Sequence, residues 1–235
     1  MKRCGFLMMT ILMVIGPTVA GAFNQSDLDR LLAGDNNMRN SDFSGIDHTK
    51  LTRRNLQTID FTGADFRNCH LWSLEFNSAK LEGAKLDNGN LKGSHFRLVN
   101  FKRASLRNAD ISIAPCGGAD FSNADLSGAK MTSSPLQTCK FIQAKLNGAD
   151  LSNAMFSRAD LTGADMTNAI LANADFDGAK VDISWKSYIQ GQNVRNFDKI
   201  EWVQRQGVTP SAEMAKPGAG KIDKEMVTPK VPVKK

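Results

Sequence analysis

Histidine, cysteine and tyrosine are scarce in this chain, with three, four and one among 235 residues. His48, His70 and His95 have no metal-ligand spacing, and no nucleophile, base and acid stand together as a reacting group. The sequence therefore gives no reason to expect a catalytic residue, a metal or a cofactor, and an enzyme is disfavoured. Long apolar runs are missing beyond the first 22 residues. Helical periodicity is confined to short stretches near the two ends. An excess of one charge is missing too: between Phe61 and Val181 there are 13 Lys plus Arg against 12 Asp plus Glu. A dense acidic or basic field is thus excluded from that stretch.

What is present is a repeat. From Phe61 to Val181 a large apolar residue returns at every fifth position, with Cys116 the only weak member. Two residues before it stands a small residue, usually alanine, and two residues after it Gly or Asn is frequent, as at Gly63, Asn68, Asn123 and Gly128. Neither a helix nor a flat strand keeps a period of five on one face, so the unit is one side of a coil with a corner in each pentapeptide. Gly and Asn suit corners that need positive φ.

Written in columns of every fourth unit, Phe61, Phe101, Phe121 and Phe141 align, and Phe76, Phe96, Phe156 and Phe176 fill the adjacent column. These eight rings form the predicted structural core of a square coil of 20 residues. The preceding outward positions alternate in charge at the same period, Asp120, Lys140, Asp160, Lys180 and Asp125, Lys145, Asp165. Coils stacked about 4.8 Å apart would otherwise set like charges on each other.

Units such as Ala124-Asp125-Leu126-Ser127-Gly128 and Ala149-Asp150-Leu151-Ser152-Asn153 closely resemble the pentapeptide repeat family, whose consensus is Ala-(Asp/Asn)-Leu-X-X. The resemblance implies an all-β fold, a right-handed quadrilateral β-helix. The match weakens at Arg54, Ile59, Leu74 and Val99.

In chain order, residues 1–22 read as a signal peptide, with Lys2 and Arg3 before the apolar run from Phe6 to Ile15 and a small-residue site at Ala20-Gly21-Ala22. The alternative is a membrane anchor, for which the run is short. Cleavage before Phe23 would lower the formal charge from +6 to +4 and place the protein outside the cytoplasm, periplasmic or extracellular. Residues 23–60 read as an N-terminal capping helix, with Ser26 as its N-cap and Gly34 as its end, followed by irregular first coils with a short insertion within Ile46 to Lys50. Residues 61–181 are the β-helix, 182–207 a C-terminal cap in which Val194, Phe197, Ile200 and Val203 have helical spacing, and 208–235 a disordered basic tail. Cys69, Cys116 and Cys139 fall at inward positions. Three buried thiols are favoured over a Cys116–Cys139 disulfide.

Two surface features depart from the repeat. Lys92, Arg97, Lys102 and Arg107 place one cation on each side of one coil, a belt rather than the gathered patch that nucleic acid requires, so nucleic acid is disfavoured. On the fourth side the outward column reads Glu75, His95, Pro115, Pro135, Met155, Asp175. It marks either a local bulge at the prolines or a partner-binding face, for which the candidates are His95, Pro115, Pro135 and Met155, with Trp72 beside them. The function expected is an exported, non-enzymatic scaffold, a rigid rod that binds an unidentified protein or an anionic envelope surface. The alternative comes from the resemblance: some family members mimic DNA and inhibit type II topoisomerases, a role opposed here by the balanced charge and the export signal.

Overall fold

The computed structural model describes residues 23–51 and 55–204. Its order is α1 (Gln25–Leu32), a 3-10 turn at His48–Lys50, the long repeat, β1 (Lys180–Asp182), a 3-10 turn at Ile183–Trp185, α2 (Lys186–Gln190), a 3-10 turn at Phe197–Lys199 and β2 (Glu201–Val203).

One pentapeptide accounts for all its backbone donors. In Phe121–Asp125, Phe121 N–H donates to Lys140 O (2.7 Å), Asn123 N–H to Ile142 O (2.9 Å) and Asp125 N–H to Ala104 O (2.9 Å), so two bonds run to the next coil and one to the previous. Ala124 N–H closes the corner on Phe121 O (3.0 Å). The remaining amide, Ser122 N–H, points back to the Asp120 carboxylate (3.0 Å). The chain can repeat this unit without leaving a buried amide unpaired. Each corner has positive φ at its third residue, Gly63 at 71° and Asn123 at 60°.

Parallel bridges recur twenty residues apart, as at Asp60↔Lys80, Asp120↔Lys140 and Lys140↔Asp160. Extended strand is scarce, only β1 and β2 among the described residues. Each five-residue side gives up its middle to the corner and has one residue left to pair.

The coil interior is a single apolar column. All nine ladder phenylalanines, the eight of the two columns and Phe66, are buried, as are the alanines between them. Rings stack along the axis, Phe101 on Phe121 at 4.7 Å, Phe121 on Phe141 at 5.0 Å and Phe156 on Phe176 at 5.2 Å. Between columns they meet edge to face, as Phe141 and Phe156 do at 5.8 Å. Cys69, Cys116 and Cys139 are buried free thiols.

The ends differ in detail from the sequence expectations. The N-cap of α1 is Asn24, not Ser26: its Oδ1 accepts from Ser26 N–H (2.9 Å) and Asp27 N–H (3.3 Å). Leu28 and Leu31 close the apolar interior. The bridges Asp42↔Asp65 and Asp47↔His70 are offset by 23 residues, but Asn55↔Glu75 by 20. The three extra residues thus lie between Asp47 and Asn55, beginning at the 3-10 turn. Arg54 and the segments 1–22 and 205–235 lie outside the described residues.

Val194 to Val203 is not a helix. Arg195 bridges Asp175, and β2 pairs in parallel with β1, Lys180 opposite Glu201, so this stretch winds on as a further partial coil. Its spacing misleads because the same four apolar residues fit a coil whose corner has gained one residue. Where the next full coil is missing, side chains replace its donors. Trp185 Nε1 donates to Ala164 O (3.0 Å) and Tyr188 Oη to Ala169 O (2.6 Å).

Candidate functional site

Three sides of the coil share one outward chemistry. Their Asp residues cap the following corner, as in Asp125 to Ser127 N–H (3.1 Å) and Asp160 to Thr162 N–H (3.0 Å), and lysines alternate with them along the axis. Burial pushes the Asp125 carboxyl up, but hydrogen bonds from the Ser127 hydroxyl and amide, with Lys145 and Arg107 nearby, bring it net below its usual value. Asp120 follows the same pattern with Ser122 and Lys102.

The side that carries Pro115 lacks this chemistry. Residues 111–118 and 131–138 contain no charged side chain, and in the next coil 151–158 holds a single one, Arg158, at the corner above Thr138. Pro115, Pro135 and Met155 are half-buried along its centre, and His95 is exposed just above, its Nδ1 2.8 Å from Glu75 Oε1. The prolines cause no bulge. Phe96 N–H still reaches Pro115 O (2.7 Å) and Cys116 N–H reaches Pro135 O (2.9 Å), in the same register as elsewhere. What they remove is the return donor, and Ala114 O instead accepts from the Cys116 thiol at 3.3 Å.

The corners of this side hold two residues that the repeat reading passed over. Ile113 and Leu98 occupy corner positions with φ of 56° and 58°, and are 54% and 67% exposed. Elsewhere those positions hold Gly, Asn or other small or polar residues. A β-branched residue at positive φ is disfavoured, and here it gains no burial. The signal was visible in the sequence as large residues in the Gly/Asn column. Trp72 stands apart from the group. It is 41% exposed, one corner position along and two coils away, and packs on the His48 ring at 4.2 Å. The structure thus groups Pro115, Pro135 and Met155 with Ile113 and Leu98, sets His95 at the edge and leaves Trp72 outside.

The opened corner on this side is repaired from within. Leu74 N–H donates to the buried Ser94 hydroxyl (3.0 Å), which donates to Leu71 O (2.7 Å), and two coils on in the same column Ser134 donates to Ile111 O (2.8 Å). Serine at these two small-residue positions is therefore a backbone partner rather than filler.

Other groups offer little reactivity. Burial pushes Cys69 and Cys139 up to about 12 and raises Cys116 as well, so none is a ready nucleophile. Among the described residues no His, Cys, Asp and Glu cluster is placed to hold a metal ion, and no helix is long and apolar enough to cross a membrane. In the cation belt, Lys102 pairs with Asp120 (3.4 Å) and Arg107 with Asp87 (3.5 Å), which weakens it further as a phosphate-binding surface.

Comparison with known proteins supplies a family. The model for pentapeptide repeats matches residues 37–83, 75–112, 116–141, 136–173 and 144–181, together more than half of the chain. No curated protein matches. Among solved structures, HetL, a pentapeptide repeat protein involved in heterocyst differentiation regulation in the cyanobacterium Nostoc sp. strain PCC 7120, is 22% identical over 67% of this chain and 96% of its own, with a TM-score of 0.33. A pentapeptide repeat protein of the Arabidopsis thaliana thylakoid lumen is 22% identical over 70% and 90%, with a TM-score of 0.26. The full-length plasmid-mediated fluoroquinolone resistance protein QnrB1 is 20% identical over 59% and 83%, with a TM-score of 0.23.

Proposed function

The chain belongs to the pentapeptide repeat family, and from that premise we propose that it is an exported, non-enzymatic interaction scaffold whose uncharged side is its binding face. Right-handed, four-sided winding and removal of residues 1–22 are parts of this reading. The observation that carries it is a side with no charged side chain over two coils and only Arg158, at a corner, in the third, with Ile113 and Leu98 exposed at its strained corners. A solvated side has no use for that arrangement, whereas binding faces favour apolar contacts with few charges to desolvate.

The basic tail is a second, electrostatic contact. Residues 23–204 hold 21 Lys plus Arg and 21 Asp plus Glu, so the rod is neutral, while 205–235 hold seven against three. The whole +4 of the mature chain therefore belongs to the tail, which favours an anionic envelope surface. In-cell crosslinking from a photoreactive residue at Ser133, on the face, is expected to capture a partner that the same residue at Lys130, on another side, does not. Equal capture from both positions overturns the binding face. Binding to vesicles containing anionic lipid should be lost on deleting 205–235 and fall with added salt. N-terminal sequencing of the mature protein should begin at Phe23. DNA mimicry has no support in the near-neutral repeat, and the mature protein should leave topoisomerase supercoiling unaffected.

A further inference from the structure

We propose that the groove over the corner of Asn88, Asn108 and Gly128 is a binding site for an N-acetylated amino-sugar glycan, whose acetamido group continues an asparagine ladder where the chain's own side chains stop. The groove has a volume of about 480 Å³, and Asp87, Arg107, Ser127 and Asn147 line it together with the corner residues. Small-ligand sites usually enclose about 300 to 1,000 Å³. No apolar side chain lines this one, which excludes a lipid or an apolar peptide. The groove lies one side away from the Ile113 corner and shares no residue with the uncharged side, so the two sites stand or fall separately.

The ladder ends in an acceptor. Asn68, Asn88 and Asn108 stack at one corner position of successive coils, with Asn88 Nδ2 donating to Asn68 Oδ1 and Asn108 Nδ2 to Asn88 Oδ1, both at 3.4 Å. The next two corners in the column are Gly128 and Gly148, and asparagine returns only at Asn168. Asn108 Oδ1 therefore has no asparagine above it to accept from, and it lies across Gly128, where an added Cβ would stand 2.4 Å away. At the far end of the groove Asn147 Oδ1 accepts from Ser127 Oγ (2.7 Å), which leaves Asn147 Nδ2 as a donor. Asn108 and Asn147 are two coils apart, about 10 Å along the axis. An acceptor at one end and a donor at the other suit a trans secondary amide, whose N–H and C=O point in opposite directions.

The charged residues of the groove select a neutral ligand that bears hydroxyls. Arg107 and Asp87 pair at 3.5 Å, so the groove attracts neither a phosphate nor a cation. Ser105 stands where other units carry the capping Asp, and Asp87 of the previous coil takes over, its Oδ1 accepting from Arg107 N–H (2.9 Å) and from the Ser105 hydroxyl. Asp87 is only 8% exposed, and its Oδ2 is left as an acceptor among the donors of the Arg107 guanidinium. A sugar hydroxyl both donates and accepts, which matches this mixed lining. A peptide fits less well, because strand addition needs an unpaired edge and side-chain pockets. Here the corner amides are already used: Asn88, Asn108 and Gly128 N–H donate to Arg107, Ser127 and Asn147 O at 2.8, 3.0 and 3.0 Å. On an exported rod such a groove would hold an envelope glycan and leave the uncharged side available.

The test titrates the full chain with tri-N-acetylchitotriose, with cellotriose and with a blocked glycine dipeptide, following the side-chain amide signals of Asn108 and Asn147 by NMR. The acetylated trimer should bind saturably with a dissociation constant at or below about 1 mM. Cellotriose, which has hydroxyls in place of the acetamido groups, should bind at least about tenfold more weakly. Asn108→Gly removes the acceptor and keeps a residue suited to positive φ, as at Gly128 and Gly148 in the same column; it should weaken the trimer at least about fivefold. Gly128→Asn extends the ladder with the chain's own amide and should weaken it as much, while Asn123→Gly, the same change at another corner, should leave binding unaltered. No saturation at about ten times that concentration overturns the proposal. So does equal binding of cellotriose, or unaltered binding by Asn108→Gly and Gly128→Asn proteins that melt like the parent in circular dichroism. Preference for the dipeptide overturns it in favour of a peptide site. Co-sedimentation with peptidoglycan and with chitin tells which polymer supplies the sugar, and retention by either supports the proposal.

Discussion

At the scale of single residues, the outward Asp positions show how one side chain serves two ends. Their alternation with Lys is real, but only some vertical pairs come within ion-pair range, Lys80 to Asp60 and Lys145 to Asp125 both at 3.7 Å. The general role is the corner amide, as in Asp120 to Ser122 N–H, which no backbone carbonyl reaches. Because the folded carboxyls of Asp65, Asp120 and Asp125 lie below their usual value, their stabilisation is complete above the unfolded pKa of about 4 and is lost as pH falls through the lower folded value. Asp125→Asn keeps an acceptor for Ser127 N–H but not the charge. It should flatten the loss of stability below about pH 4, measured as urea midpoint against pH; an unchanged acid slope would count against this account. Ile113→Asn should raise stability by about 1 kcal/mol by relieving strain, and the reverse change Asn123→Ile should lower it by a similar amount. Ser94→Ala should cost about 1 to 3 kcal/mol because it strands Leu74 N–H and Leu71 O. Ser133→Ala, exposed, should be near neutral.

At the scale of the element, the coil is stabilised by its stacked interior. Phe121 and Phe141 stack at 5.0 Å with planes 3° apart, while Phe61 lies in the same column three coils from Phe121. Each Phe→Ala change should cost about 3 to 5 kcal/mol. The pair Phe121→Ala, Phe141→Ala should be non-additive by about 0.5 to 3 kcal/mol, and Phe121→Ala, Phe61→Ala nearly additive. Chemical denaturation of the two cycles decides; additivity in both would contradict the stacking. The caps were less legible. Ser26 looks as good an N-cap as Asn24, and the choice falls to Asn24 because it also ties the helix to the first coil through its own N–H to Asp42 O (2.8 Å).

At the scale of the whole molecule, each coil bonds only to its neighbours, so length is adjustable and register is not. Deleting residues 121–140 removes one full coil and should leave a cooperatively unfolding rod of lower midpoint, with Asp120 now facing Asp160. Deleting 126–140, fifteen residues, shifts every later side to the next column and breaks up the ring stacks and the corner caps. It should lose cooperative unfolding in circular dichroism melts. Equal behaviour of the two deletions would mean that the twenty-residue register does not control stability.

The period of five, the column of rings and the inward thiols were legible because a solenoid repeats one local decision, and side-chain volume and corner chemistry are written anew in each unit. The uncharged side was half legible: Pro115, Pro135 and Met155 stood out in the outward column, but Trp72 joined them only on exposure by register, and Ile113 and Leu98 were hidden at corner positions read for their glycines. Which of these residues share a surface depends on contacts between coils twenty or more residues apart. The His48 ring against which Trp72 packs, the serine hydroxyls that mend corners across a coil, and the extra residue that bends Val194 to Val203 into a partial coil rather than a helix all belong to such contacts. A local pattern fixes each side of the coil, and only the stacking decides what stands beside it.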